Sequence, residues 1–291
     1  MLVLFTDTDT DITLAEAKEF GYRLISMPYS IDGVTTYPYE DFEVFDSHTF
    51  YDQLRAGALP NTSAISTQKY KDYFEPVFEA GDDILYVHFS RNMTATFDNM
   101  DIAVKELLEK YPDRKFYEID TKGITLCSLL PVKEIGDMYK EGKSAEEILK
   151  WAETEIDKVA CYFFADDLKF FKHSGRVSGL AGTMGTLLGI RPIIYMTEEG
   201  KMESIGKEKG RVKAMERLVA YVDELGEDIK DHRVLIGHTD SLDIAEEIER
   251  MLKEKYGDDL RTEIVVVNPT AGSHCGPNTV GVCFHANRRT V

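Results

Sequence analysis

The feature that most limits how this chain can fold is the alternation, through its first half, of short apolar runs with segments of helical period. LVLFT (2–6), ILYVHF (84–89) and KFYEID (115–120) read as strands, the first two apolar throughout as strands buried on both faces are. In TQKYKDYFEPVFEAG (67–81), Tyr70, Phe74, Val77 and Phe78 recur at helical spacing and Gly81 ends the run. Further helices are expected from near Leu14, near 48–57, over 94–111, over 124–142 and over 144–158, the last with Ser144 as its N-cap. YRLISMPYSI (22–31) reads as one more strand, followed by an irregular Tyr- and Asp-rich stretch to about residue 48. Strands and helices alternating across short loops call for a parallel sheet covered by helices.

The texture changes near residue 159. VACYFFAD (159–166) reads as a strand, and RPIIYM (191–196) with KMESIG (201–206) as a hairpin about Glu198-Glu199-Gly200. Helices over 208–226 and 241–256 and strands over 233–238, 262–267 and 279–286 complete the pattern. The hairpin makes this second sheet mixed. A chain of 291 residues can hold two modest α/β domains, and the boundary is expected at 157–160, giving domains 1–158 and 159–291. No Pro/Ser linker marks it, so the halves are expected to pack tightly.

Charge narrows the function. Asp and Glu number 52 against 34 Lys and Arg, a formal charge of -18, which repels phosphate backbones and anionic headgroups. Nucleic-acid and membrane-surface roles are therefore disfavoured, and any anion site must be a local exception to the field. The four cysteines form no CxxC pair and read as buried, reduced thiols. The start, MLVLFTDTDTD, turns acidic too early for a signal peptide, and no apolar run approaches the roughly 18–20 residues of a membrane span. A cytoplasmic, soluble protein is expected.

Three polar loops adjoin strand ends or helix starts, where backbone N–H groups are free either to cap a helix or to bind an anion. They are Asn61 to Ser66, containing Thr62 and Ser63; Ser90 to Thr96, containing Arg91 and Thr94; and Gly272 to Asn278, with His274 between glycines. The second follows a strand of the parallel sheet, where ligands of open α/β sheets bind. A fourth stretch, Lys172 to Gly179, offers Arg176 as a planar fork for a carboxylate or phosphate. It lacks the GxxxxGK[ST] pattern, and no GxGxxG follows a strand, so nucleotide binding finds no support. Met184, Leu187, Leu188 and Ile190 then form an apolar face that suits a core helix or a ligand tunnel.

Other chemistries fit poorly. Asp7, Asp9 and Asp11 could approach Mg²⁺, yet Ile12 stands where an EF-hand needs glycine and no Glu closes the loop. No HxH, HExxH or GxSxG occurs. Cys275 beside His274 would point to opposite faces of an extended segment, so the pair is not read as a nucleophile and base. No catalytic residue and no metal ligand is assigned.

The order of these loops is what resembles a known family. Thr6-Asp7-Thr8 ends the first strand, Thr62-Ser63 precedes a helix, Ser90 through Thr96 follows a strand, Gly175-Arg176-Val177-Ser178 opens the second half, and His274-Cys275-Gly276-Pro277 lies near the end. Five short motifs in this order resemble the DegV family across essentially the whole chain. The chain departs from the family pattern with Arg91 for a Ser, Asn92 and Ala95 for glycines, Asn278 for the last glycine of the His motif, and Ser63-Ala64-Ile65-Ser66 in a loop without its usual proline. Asn92 and Asn278 adopt positive φ more readily than most residues, so both turns can survive.

The resemblance implies an N-terminal three-layer α/β/α domain with a mainly parallel sheet and a C-terminal two-layer α/β domain with a mixed sheet, a DegV and dihydroxyacetone-kinase-like architecture. It implies a carrier, not itself a catalyst, that buries one long-chain fatty acid in a tunnel, with no other cofactor. The binding subunit of bacterial fatty acid kinase is similar, and a partner kinase would phosphorylate the presented carboxylate to an acyl phosphate. Carried over by motif, Thr62, Ser90 and His274 would hold the carboxylate, with Ser63, Arg91 and Thr94 alongside and Arg176 near the mouth. Hydroxyls and an imidazole suit the task, because a buried carboxylate without donors costs several kcal/mol. The alternative is an enzyme acting on a small phosphorylated or keto metabolite, as the similar fold of dihydroxyacetone kinase's substrate-binding domain suggests. There His274 would be the reactive group and Asp7, Asp9 and Asp11 a metal site.

Overall fold

In the computed structural model, which describes residues 1–178 and 189–291, the opening apolar run forms β1 (Leu2–Asp7). One turn of 3-10 helix leads from it to α1 (Leu14–Phe20), closed by a capping box between Thr13 and Glu16. The first half continues with β2 (Tyr22–Ile25), β3 (Tyr29–Ile31), β4 (Val34–Thr36), α2 (Ser47–Arg55), β5 (Asn61–Thr62), α3 (Thr67–Glu79), β6 (Asp83–His88), α4 (Thr96–Lys110), β7 (Phe116–Asp120), α5 (Leu126–Lys140) and α6 (Ala145–Glu155). The second half comprises β8 (Val159–Ala165), α7 (Lys169–Ser174), β9 (Val177–Ser178), β10 (Ile190–Met196), β11 (Met202–Lys209), α8 (Arg211–Leu225), β12 (Val234–His238), α9 (Leu242–Tyr256), β13 (Thr262–Val266), α10 (Pro269–Cys275) and β14 (Thr279–His285).

The first sheet is parallel, in the order β2-β1-β6-β7. Its strands are apolar on both sides because both sides are covered. Phe5, Ile84 and Tyr86 pack against α3 and α4, while Leu4, Leu85 and Val87 face α1, α5 and α6. The second sheet is mixed, ordered β13-β12-β14-β8-β10-β11-β9. Tyr162, Phe164, Val282 and Phe284 meet α8 and α9 on one face. Cys161, Ala165, Leu235 and Cys283, on the other face, join the core that holds Leu4 and α5. One continuous apolar layer therefore runs between the two sheets, with α5 inside it. Cys127, Cys161 and Cys283 are buried and no disulfide forms. Among the described residues no helix is long and apolar enough to cross a membrane.

Two segments differ from their sequence reading. Tyr22 to Ile31 is not one strand: β2 belongs to the parallel sheet, whereas β3 pairs with β4 and β5 in a separate small antiparallel sheet. The break falls at Ser26-Met27-Pro28, where proline has no N–H to give to a ladder. The stretch before the last strand is not a loop either. Asn268 caps α10 through its side-chain oxygen, which accepts from the Ala271 N–H at 2.9 Å, and Pro269 takes the first helical position. Met184, Leu187 and Leu188 of the expected apolar face, and Gly179 of the Arg176 stretch, lie outside the described residues; Ile190 begins β10.

Candidate functional site

The turns after β1 and β6 lie at the carboxyl ends of adjacent parallel strands, and β5 and α10 come against them. α10 is held there by its cap residue. Asn268 donates from its backbone N–H and its side-chain Nδ2 to Asp11 Oδ1, at 2.8 and 2.7 Å. Thr270 Oγ1 donates to the Met27 carbonyl at 2.7 Å. Gly276 then ends the helix at φ 70°, with Phe170 packed so closely that a Cβ would fall 2.1 Å from its ring. Asn278 also takes a positive φ, 60°, as expected of it; Asn92 does not.

This anchoring puts His274 Nε2 3.0 Å from Thr62 Oγ1 on β5. Burial, then the charges of Arg176 and His173, push the His274 imidazole down to about 4, so it is neutral at ordinary pH. A neutral ring carries one proton. In the tautomer where Thr62 donates to Nε2, that proton sits on Nδ1, which is buried and has no partner.

His274 stands where two cavities meet. One has a polar lining that includes Asp9, Thr62, Ser63, Thr94, Thr96, Thr270 and Arg176. The other runs between the two sheets past Leu126, Cys161, Phe163, Met196, Met202 and Val267. Met93, Ile124, Arg176 and His274 line both. Ser63 and Arg176 are exposed, so the polar end is open to the surface.

The structure thus brings together Thr62, Ser63, Thr94, Arg176 and His274 of the expected set, and places Ser90 and Arg91 elsewhere. Ser90 is buried, with Oγ donating to the Gly200 carbonyl at 2.8 Å and accepting from the Asn92 N–H at 3.2 Å. Arg91 turns away from both cavities. Its Nε donates to Glu118 Oε1 at 2.5 Å, its two terminal nitrogens grip Asp101 at 3.0 and 2.8 Å, and the guanidinium lies 5.4 Å above Phe97. The expected extra cation beside a headgroup is already spent on two carboxylates.

Sequence reasoning missed Asp9 as a member of the polar lining. The residue is 5% exposed, and its Oδ1 has no hydrogen-bond partner. Burial, with Asp7 and Asp11 nearby, holds it well above the usual carboxylate range. The three aspartates do not converge on a metal. Asp7 accepts from Tyr86 Oη at 3.1 Å and the Phe89 N–H at 3.2 Å, and Asp11 faces Asn268. Among the described residues the grouping with metal-like spacing is His48, Asp52 and Asp240, at the surface, where Arg55 already pairs with both aspartates. His274 and Cys275 sit on a helix, not an extended segment, and Cys275 lines the apolar cavity.

Comparison with known proteins places this geometry. A DegV domain-containing protein of Clostridium perfringens is 32% identical over 283 residues, covering 97% of this chain and 96% of the relative. The fatty-acid-binding DegV family protein of Streptococcus agalactiae is 25% identical, with a TM-score of 0.82 over 99% of each chain. A DegV family protein of Eubacterium eligens, loaded with heptadecanoic acid, shares the fold at 22% identity, with a TM-score of 0.84 over 99% of this chain and 100% of that one. The family model described as uncharacterised protein, DegV family, matches residues 1–287, and the chain belongs to the DegV family.

Proposed function

We propose that this protein binds a long-chain fatty acid, with the carboxylate in the polar cavity and the acyl chain in the apolar one, and offers the carboxylate to a partner kinase that forms an acyl phosphate. The observation that carries the reading is the shared wall. His274, Arg176, Met93 and Ile124 border both cavities, so a ligand with a polar head and an apolar tail spans them. Thr62, Ser63, Thr94, Arg176 and His274 form the headgroup set. His274 Nδ1 is buried without a protein partner and is a donor in the tautomer where Thr62 donates to Nε2, and Arg176 supplies positive charge in an otherwise acidic molecule. Each methylene placed in the apolar cavity contributes roughly 0.8 kcal/mol, so a long chain binds tightly with few polar contacts. The exposed Ser63 and Arg176 leave the carboxylate end reachable by a second protein. On this reading residues 1–158 supply most of the polar cavity, and residues 159–291 supply His274 and much of the apolar wall. Fatty-acid-binding members of the family named above support it.

Denaturing extraction of the purified protein followed by mass spectrometry is expected to release a C14–C18 fatty acid. His274→Ala removes a hydrogen bond to a charged group, about 1.5–3 kcal/mol, so affinity falls at least tenfold while the fold persists. A protein that carries no lipid and is not stabilised by added fatty acid defeats the reading. ATP-dependent acyl phosphate formation on addition of a fatty acid kinase tests its second half.

A further inference from the structure

Of the three buried side-chain polar atoms left without a partner among the described residues, two belong to residues of the polar cavity: His274 Nδ1 and Asp9 Oδ1. The third, Asp11 Oδ2, is on a carboxyl already anchored by Asn268. Asp9 differs from both its neighbours. Asp7 and Asp11 each accept hydrogen bonds that fix them in place, whereas among the described residues no donor reaches Asp9 Oδ1. A buried carboxyl with no donor keeps its proton well above the usual carboxylate range and has an O–H to give. Its surroundings enforce this. Asp7 and Asp11 flank it on its own turn, Tyr86 faces it from β6, and Cys275 and His274 face it from α10, with Arg176 across the cavity.

We propose that Asp9 is a binding residue for the acid headgroup: its carboxyl O–H donates to one oxygen of the ligand carboxylate while His274 Nδ1–H serves the other. The inference deepens the fatty-acid reading and rests on it. It identifies the ligand as a monocarboxylic acid recognised through a shared proton. It also resolves how a turn carrying three aspartates borders an anion site, because the aspartate that borders the cavity is a donor. Proton accounting gives the test. Where Asp9 is already protonated, binding takes up no proton. Above the pH at which free Asp9 loses its proton, each binding event must recover one, and affinity falls about tenfold per pH unit.

Decanoate, kept below its micelle concentration, is titrated into the intact protein by calorimetry from pH 6 to 10, in buffers of different ionisation heat. Wild type is expected to bind more weakly as pH rises, with one proton taken up on the alkaline limb. Asp9→Asn keeps a donor of the same shape and cannot titrate. It should bind within about threefold of wild type at pH 6, and its alkaline limb should be flatter by the Asp9 proton. Asp7 and Asp11, both held near pH 7, add a shallow slope common to both proteins, so the difference between them isolates Asp9. Asp9→Ser, a smaller donor, repeats the comparison should the Asn variant melt early. Methyl decanoate, which has no carboxylate, should bind independently of pH. If wild type and Asp9→Asn share one slope and one proton count, the role of Asp9 is overturned while fatty-acid binding stands. If decanoate binds neither protein at any pH, the carrier reading fails, and this role with it.

Discussion

The turns after β1 and β6 look alike in sequence and do opposite work. Both follow buried strands of the parallel sheet and both are rich in side-chain oxygens. Around β6 the first three groups, Ser90 to Asn92, close on the protein, and only beyond them does Thr94 reach the polar cavity. Ser90 is tied to Gly200, Asn92 Nδ2 donates to the Glu199 carbonyl at 2.5 Å, and Arg91 is tied to Glu118 and Asp101. Around β1 two carboxyl oxygens stay unpaired, those of Asp9 and Asp11. The difference comes from what arrives opposite. The tip of the β10–β11 hairpin covers the β6 turn, and a Cβ on Gly200, at φ 76°, would come 2.3 Å from Ser90 Oγ. The β1 turn meets α10, whose cap satisfies Asp11 Oδ1 and leaves space beyond it. A polar turn becomes a joint or a site according to its long-range partner, not its composition.

The joint breaks most severely at Arg289, which is 1% exposed. Its guanidinium donates to the carbonyls of Lys122 at 2.7 Å, Thr121 at 3.1 Å, Ile156 at 2.7 Å, Val159 at 3.0 Å and Thr197 at 3.4 Å. It thereby fixes the chain after β7 to the turn of the hairpin that covers Ser90. Arg289→Leu leaves those carbonyls buried and unpaired, and a loss of about 3–5 kcal/mol in urea unfolding is expected. A loss under about 1 kcal/mol would show that the hairpin is held from elsewhere.

The β1 turn has a pH signature. Burial outweighs the hydrogen bonds from Asn268 and raises the Asp11 carboxyl from 3.8 to about 7. A raised carboxyl pKa means the folded state keeps a proton that the unfolded chain has lost. Its stabilising contribution is complete below about pH 4 and disappears as pH rises through about 7. Asp11→Asn retains the acceptor for Asn268 and cannot ionise. The variant should therefore exceed wild type by on the order of 3 kcal/mol at pH 8 and match it near pH 4. Parallel stability curves across that window would break the contrast between the two turns. Ser90→Ala comes next, at about 1–3 kcal/mol for the Gly200 carbonyl left unpaired. Fatty-acid affinity should stay within twofold, because Ser90 lines neither cavity. A tenfold loss of affinity without loss of stability would exchange the roles of the two turns.

These assignments also mark what the sequence could reveal. Periodicity located nearly every helix and strand, because burying a face imposes its own spacing. That Thr62, Ser63, Thr94, Arg176 and His274 come to one cavity was legible through motif order alone, since no single loop separates a cap from a site. Ser90 and Arg91 were read as headgroup ligands for the same reason. Gly200 and Glu118, the residues that claim them, lie 110 and 27 positions away, and no local signal shows the pairing. Asp9 was visible in TDTDTD only as one carboxylate of three. Its distinction, a carboxyl with no donor in reach, exists only once Asp7 and Asp11 have found theirs. Asn268-Pro269 is a helix start that was readable in principle, but seven residues containing Gly272 are too short for periodicity to register.

The smallest effect sharpens the comparison most cleanly. Arg91 pairs at a partly exposed surface, so Arg91→Gln should cost no more than about 1 kcal/mol at neutral pH. Its pH dependence runs opposite to that of Asp11. Burial raises the Glu118 carboxyl, but hydrogen bonds from His88 and Arg91 outweigh it and bring Glu118 from 4.5 down to about 2. A lowered carboxyl pKa stabilises the fold above about pH 4.5, and that contribution is lost as pH falls toward 2. Removing Arg91 weakens the lowering, so variant and wild type should differ most near pH 6 and converge on acidification. The Asp11 variant and its parent converge near pH 4 and separate on the alkaline side. Unfolding curves for both variants between pH 3 and 8 decide whether the two turns titrate on opposite limbs. A gap for Arg91→Gln that stays constant from pH 8 to pH 3 would mean that Glu118 is held by His88 alone and that Arg91 is not part of the joint.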